Sequence, residues 1–188
     1  SVANLQNDNQ KAFDDTVEKW SEVVKKLVNK GFSVDLIAFT KGADDKMIDA
    51  ILSNLKNCVW GGVQPVYYSQ ATNAVSSWNR YKFAICMRFH SLVLSILNDV
   101  PALPIAYGHK TFSLAEKCGL KDYLLVWNTY QSEYFGKTID ISASQILEKV
   151  DLLCNSIDSA KTEMLKNKCS LIGSASAAFM QLEKILEQ

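Results

Sequence analysis

Arg88 and His90 lie two positions apart, directly after a short apolar run. That run, residues 83–87, is long enough for one buried strand, and the apolar residues from Leu92 to Leu97 have helical spacing. The two ionisable residues are therefore predicted at a strand-to-helix junction. The first N–H groups of a helix have no partners within it, and that end carries about half a positive charge. A guanidinium matches the edge of a carboxylate or phosphate, so we predict an anion site here.

A second junction of the same kind follows. Pro101 precedes a strand-like run over residues 102–107, which contains Pro104, and Gly108 leads into an amphipathic segment with Lys110 near its start. Right-handed crossovers place the carboxyl ends of neighbouring parallel strands at one edge of a sheet, where doubly wound proteins bind ligands. We therefore expect Tyr107 and Lys110 at the same edge as Arg88 and His90.

The remaining segments alternate between strand and helix patterns. We predict strands at 2–5, 32–39, 58–60 and 123–127, and helices starting at Asp8 or Asn9, near 44, at 67, and at Ser142 or Ser144. The sum predicts a single α/β domain over 1–188, with a doubly wound, mostly parallel Rossmann-like sheet of about six strands and a helical tail over 142–188. Gly61 and Gly62 follow one predicted strand, so their backbone N–H groups are further candidates for anion binding.

Composition narrows the classes of function. The 188 residues carry no net charge, so the chain has no broad basic field for nucleic acid or anionic lipid. No apolar run approaches the roughly 20 residues of a membrane helix. The five scattered cysteines include no C-x-x-C pair, which favours reduced thiols in the cytoplasm over disulfides or a zinc site. The first residue is not Met, so we expect a piece of a longer protein.

The stretch C-M-R-F-H-S-L-V-L-S-I-L-N-D-V-P-A-L-P-I-A-Y-G-H-K, residues 86–110, resembles the signature of the polysaccharide pyruvyl transferase family. In that family a strand ends in a G-M-R-x-H-like motif, and a helix, a V-P strand and a Y-x-x-K turn follow. Arg88, His90, Tyr107 and Lys110 stand at the matching positions. The chain departs from the pattern at Cys86, where glycine is common, and its segment 6–8 offers no arginine.

The resemblance implies the C-terminal half of a two-domain, GT-B-like enzyme of surface or exopolysaccharide biosynthesis. The family moves pyruvate from phosphoenolpyruvate to a pair of sugar hydroxyls as a ketal, without a metal or other cofactor. The residues that would bind phosphoenolpyruvate are Arg88, His90, Lys110, Tyr107, Gly61 and Gly62. Arg88 and His90 would also be catalytic, with His90 protonating the enol carbon. The saccharide acceptor would bind mainly to the N-terminal half, so little turnover is expected from this chain alone.

Two alternatives stay open. A GT-B glycosyltransferase would bind a nucleotide sugar at a comparable edge, although no carboxylate suited to the donor ribose is evident after the strand at 102–107. A non-catalytic α/β interaction domain is the other. The last helix carries an apolar stripe, and we expect part of that stripe to be exposed, or covered by a neighbouring chain as in a homo-oligomer: Phe179, Leu182, Ile185 and Leu186.

Overall fold

The computed structural model describes residues 2–55, 61–127 and 140–186, with side chains described for 10–55, 61–127 and 140–173. The chain divides into two compact units. The first falls within residues 1–77 and 142–148, and the second within 78–141 and 149–188.

The first unit contains a pair of parallel strands. Its elements are α1 (Val2–Asn29), β1 (Val34–Ile37), α2 (Ala43–Leu55), β2 (Val63–Val66) and α3 (Ala71–Ser76). Val34 pairs with Val63 and Ile37 with Val66, so β1 and β2 end at the same edge. The core is formed by buried side chains of two helices, Val17 and Val24 of α1 and Ile51 and Leu55 of α2. Partly buried residues of both strands pack against this cluster.

Three sequence predictions concern residues 2–5, 58–60 and 67–78. The strand predicted at 2–5 is wrong, because α1 already begins at Val2. The strand predicted at 58–60 lies outside the described residues. The helix predicted over 67–78 is a six-residue α3 between two short 3₁₀ turns, Tyr68–Gln70 and Trp78–Arg80. The hydroxyls of Ser76 and Ser77 both donate to the Asn73 carbonyl, and such local bonds compete with continued helix.

The second unit contains a three-stranded parallel sheet in the order β3-β4-β5. Its elements are β3 (Ala84–Cys86), α4 (Phe89–Leu97), β4 (Ala102–Ala106), α5 (His109–Lys117), β5 (Leu125–Val126), α6 (Ala143–Asn155) and α7 (Ile157–Leu186). The first residues of α6 are grouped with the first unit. All five residues of β4 are buried, as expected for the central strand of a covered parallel sheet.

The predicted α/β class with parallel strands is confirmed. The single sheet of about six strands is not, since the described residues form five strands in two sheets. The helical C-terminal tail is confirmed, and Ser142 begins it: its hydroxyl accepts the Gln145 N–H (3.2 Å), and the Gln145 side chain accepts the Ser142 N–H (2.9 Å). The apolar stripe predicted from Phe179 to Leu186 lies where side chains are not described.

The C-terminal end of α4 is fixed by a Schellman motif. The Val100 N–H donates to the Ser95 carbonyl (2.9 Å) and the Asp99 N–H to that of Ile96 (3.4 Å). Asp99 occupies the left-handed position, φ 61°, where glycine is usual. Lys168 of α7 donates to Asp99 Oδ1 (2.5 Å) and to the Leu97 carbonyl (2.8 Å), so α7 holds this end of the helix.

Within the described ranges, no helix is both long enough and apolar enough to cross a membrane. Four cysteines are described, and all are free thiols: Cys86 and Cys118 are buried, Cys154 is half-buried and Cys169 is exposed.

Candidate functional site

The first junction lies between β3 and α4. Arg88 is the N-cap of α4, with extended backbone (φ −85°, ψ 139°) and no capping bond from its own side chain. Its carbonyl accepts the N–H groups of Ser91 (3.1 Å) and Leu92 (3.3 Å) and the hydroxyl of Ser91 (2.6 Å). The backbone of Arg88 is therefore tied into the first helical turn.

His90 is the second residue of α4 and is exposed, and Arg88 is half-buried. The His90 ring lies edge-on to that of Phe89, with centroids 6.0 Å apart and an interplanar angle of 74°. The structure places Arg88 and His90 directly after β3, at the start of α4. Neither is sealed beneath aliphatic packing.

The second junction lies at the same edge of the sheet. β3 and β4 are parallel, with Ala84 opposite Ala102 and Cys86 opposite Pro104. Arg88 stands two residues after Cys86, as Ala106 stands two residues after Pro104. Tyr107 follows Ala106 and is half-buried. Both junctions therefore follow the carboxyl ends of two paired parallel strands, and the binding of an anion by their side chains stays a prediction.

The α5 helix starts from this second junction. Gly108 is its N-cap, and Lys110 is its second residue and is exposed. Lys110 stands on α5 as His90 stands on α4, second in the helix. Two helix N-termini thus follow the carboxyl ends of β3 and β4. Their basic residues are Arg88, His90, His109 and Lys110.

A buried polar network lies beneath the first junction, and the sequence reasoning missed it. The indole N–H of Trp78 donates to Ser95 Oγ (3.1 Å), and Cys86 Sγ lies 3.4 Å from the same oxygen. Ser95 Oγ donates to the Ser91 carbonyl (2.9 Å). Because Ser95 uses its proton there, the Cys86 thiol is the donor in its contact. The one available signal was a serine on the apolar face of α4, between Leu92 and Ile96.

The Cys86 thiol is held neutral by this environment. Burial raises the pKa of Cys86 to about 11, and the hydroxyls of Ser95 and Ser91 lower it by less. The thiolate is the reactive form of cysteine, so this buried side chain is structural and not a nucleophile.

Gly61 and Gly62 belong to the first unit. They stand immediately before β2, at its amino end, whereas the sequence reasoning placed them after a strand. A Cβ added at Gly62 would lie 2.9 Å from Val28 Cγ1, so a close approach to α1 accounts for one glycine. Gly61 has φ +75°, which explains the other. Their part in anion binding stays a prediction.

The carboxylates near the start of α2 are occupied by backbone partners. Asp44 accepts the N–H groups of Phe39 and Thr40 (both 2.9 Å), and Asp45 accepts those of Gly42 (3.0 Å) and Tyr68 (2.9 Å). The bonds from Tyr68 and Gly42 lower the pKa of Asp45. In the part of the chain that is described, no group of three or more His, Cys, Asp or Glu residues could hold a metal ion.

Comparison with known families gives one match. The family model described as polysaccharide pyruvyl transferase matches residues 1–109, which is more than half of the chain and includes Arg88, His90 and Tyr107. No curated protein and no solved structure shows significant similarity.

Proposed function

We propose, since this chain belongs to the polysaccharide pyruvyl transferase family, that it binds phosphoenolpyruvate at the Arg88–His90 junction and helps transfer its pyruvate to a saccharide. The observation that carries the proposal is the position of Arg88: it is the N-cap residue between β3 and α4, with His90 two residues further on the same turn. The register of β3 and β4, which brings Tyr107 and Lys110 to the same edge, adds support.

Phosphoenolpyruvate suits this arrangement because it carries two anionic groups close together. In the proposal, Arg88 binds one of them through two parallel N–H bonds, which is the strongest geometry a cation offers to a carboxylate or phosphate. The first N–H groups of α4 and the partial positive charge of that helix end act on the other. Lys110 contributes a point charge from α5. Tyr107, at the end of β4, lines the same edge.

The proposed reaction proceeds by addition and elimination at the second carbon of phosphoenolpyruvate. A proton is added to the terminal methylene carbon, which becomes the methyl group, and positive charge develops at the second carbon. One sugar hydroxyl attacks that carbon and loses its proton. The bond to the phosphate oxygen breaks, inorganic phosphate leaves, and a second hydroxyl of the sugar attacks and loses its proton to close the ketal. No step is an oxidation or reduction, so we propose that phosphoenolpyruvate is the co-substrate and that no cofactor takes part.

We propose His90 as the proton donor. Its imidazole is exposed at the start of α4, and histidine is the side chain that most often transfers protons to reacting groups in enzymes. General acid catalysis of this kind typically contributes about 10²- to 10⁴-fold in rate.

The same proposal covers the larger frame of the protein. We propose that the chain forms a Rossmann-like half of a GT-B-like enzyme, and that a preceding half supplies most of the acceptor site. Turnover by this chain alone would then be low, while binding of phosphoenolpyruvate would be retained. The four described cysteines are free, and such thiols are typical of reducing compartments, so we propose that the enzyme works in the cytoplasm.

Calorimetric titration with phosphoenolpyruvate tests the binding step. We expect Arg88→Ala to weaken affinity about tenfold to a hundredfold, because a hydrogen bond to a charged group contributes about 1.5–3 kcal/mol. Arg80→Ala is the matched control. It removes the same charge from the same unit, but Arg80 precedes β3 and packs over Tyr81, 5.0 Å from the ring centroid. Equal affinity in the wild-type chain and Arg88→Ala would contradict the proposal.

Kinetics of the full-length enzyme test the chemical step. We expect His90→Gln to lower kcat by about 10²-fold or more with little change in KM, since glutamine keeps a hydrogen bond but donates no acid proton. The chain has two histidines, and His109→Gln, at the start of α5, is the matched control. A thermal-shift panel that includes nucleotide sugars distinguishes the glycosyltransferase alternative, since that activity requires stabilisation by a nucleotide sugar in preference to phosphoenolpyruvate.

A further inference from the structure

Ser95 is a fully buried hydroxyl whose hydrogen-bonding capacity is fully used. It donates its proton to the Ser91 carbonyl, and its two lone pairs accept from the Trp78 indole and the Cys86 thiol. Both Ser95 and Cys86 have no exposed surface, and Trp78 is 3% exposed. A buried polar network in which every member is satisfied fixes one arrangement of the elements that carry it.

This network links three separate elements. Trp78 belongs to the 3₁₀ turn before β3, Cys86 is the last residue of β3, and Ser95 lies in the second turn of α4. Residues 87 and 88 therefore connect a strand end and a helix that are also joined directly through side chains. On the other side of Arg88, the Ser91 hydroxyl bonds its carbonyl at 2.6 Å. Arg88 thus lies between the buried Cys86–Ser95 contact and the partly buried bond from the Ser91 hydroxyl to the Arg88 carbonyl.

We infer that Ser95, through its hydrogen bonds with Trp78 and Cys86, is a positioning residue. It fixes the position of α4 relative to β3 and so directs Arg88 and His90 toward the anion. The inference rests on the proposed function for the identity of that anion. Ser95 touches no ligand in this account; it acts through the helix that presents the two basic side chains. An alanine there would leave the indole N–H and the thiol without their acceptor, and α4 would shift to satisfy or expel them.

The test is the affinity for phosphoenolpyruvate of the full-length protein and its Ser95→Ala variant, measured by calorimetry at a temperature where circular dichroism shows both to be folded. We expect affinity to fall about tenfold to a hundredfold, the loss typical of an approximately 1 Å displacement of positioned groups. Ser21→Ala is the matched control. Ser21 is also a buried helical serine with a bond to its own helix (Val17 carbonyl, 2.7 Å), but it lies in α1 of the first unit. The Ser21→Ala variant should bind phosphoenolpyruvate with the affinity of the wild type.

A second pair of variants keeps the inference testable if Ser95→Ala does not fold. Cys86→Ser retains a donor to Ser95 and should retain affinity, while Cys86→Ala removes the donor and should weaken binding. Affinity unchanged in both Ser95→Ala and Cys86→Ala would overturn the inference, as would a loss of the same size in Ser21→Ala.

Amide hydrogen exchange separates this inference from the proposed function. If the wild-type protein does not bind phosphoenolpyruvate, the proposed function fails. The positioning role is then decided by the amides of Ser91 and Leu92, which donate to the Arg88 carbonyl. Faster exchange of these two amides in Ser95→Ala than in Ser21→Ala supports the role, and equal exchange overturns it.

Discussion

The bond between the Trp78 indole and Ser95 predicts a measurable coupling between two side chains 17 residues apart. In Ser95→Ala the indole N–H stays buried without its acceptor, which costs about 1–3 kcal/mol. The thiol of Cys86 is a weaker donor and adds less. Replacing serine by alanine inside a helix returns about 0.5 kcal/mol. The expected loss in the free energy of unfolding is therefore about 2 kcal/mol.

Trp78→Phe removes the same hydrogen bond by changing its donor. It removes the donor and shrinks a buried ring, at a cost of about 1–3 kcal/mol. In the double variant neither group remains, and the removal of both partners is nearly neutral for the hydrogen bond itself. The double variant should therefore lose at least about 1 kcal/mol less than the sum of the single variants.

Urea unfolding of the four proteins in the cycle, followed by far-ultraviolet circular dichroism, measures this coupling. The m-value must be the same in all four, so that the midpoints report stability and not a change in the unfolded state. Additivity within about 0.5 kcal/mol, the usual result for independent sites, would show that the two groups are not paired. It would also remove the link on which the positioning role of Ser95 depends.

Three further predictions follow from local geometry. Asp99→Ala should destabilise the chain by about 1–2 kcal/mol, because alanine tolerates φ 61° poorly and the partly exposed ion pair with Lys168 is lost. Asp99→Gly, which tolerates this φ, should have a free energy of unfolding in urea close to that of the wild type. The folded-state pKa of Cys86, about 11, lies above that of an unfolded thiol, about 8.5. The contribution of the neutral thiol to the free energy of unfolding is therefore fully present below about pH 8.5 and is lost as pH rises toward about 11. Cys86→Ala should reduce this loss of stability at high pH, as measured by denaturant titrations at successive pH values. The bond from the Tyr67 phenol to Asp49 (2.8 Å) raises the pKa of Tyr67, so Asp49→Asn should lower that pKa in an NMR titration assigned with Tyr67→Phe, and an unchanged value would contradict the bond.

The order of elements around the site could be predicted from local signals. The predicted strand at 83–87 contains β3, and the predicted run at 102–107 contains β4. Both are short apolar runs, the second lies between Pro101 and Gly108, and the segment between the two runs has helical spacing. Once the strands are parallel, the shared edge of the two junctions follows from topology, without any knowledge of distant contacts.

The missed features depend on contacts between residues far apart in sequence. The pairing of Trp78 with Ser95 has no periodic signature, because one residue lies in a 3₁₀ turn and the other on a helical face. The strand predicted at 2–5 failed because a short apolar segment fits a strand or a helix equally well, and it continues into the amphipathic α1. The division of the strands into two sheets depends on which edges pair, and the strand patterns alone do not determine that.

In the proposed site, Lys110 should contribute to binding in a different way from Arg88, and the difference can be measured. The family match ends at residue 109, so it includes Arg88 but stops before Lys110, whose assignment depends on its place in α5. Lys110 is exposed, and two unit charges 4 Å apart in water attract by only about 1 kcal/mol. Such an interaction is screened by salt, whereas a two-bond contact from a half-buried guanidinium is screened much less. Lys110→Gln should therefore weaken phosphoenolpyruvate binding by about fivefold at low ionic strength and scarcely at all at about 0.5 M salt. The loss in Arg88→Ala should persist at both. If instead Lys110→Gln lost as much affinity as Arg88→Ala, independent of salt, then the second junction and not the first would be the principal anion site.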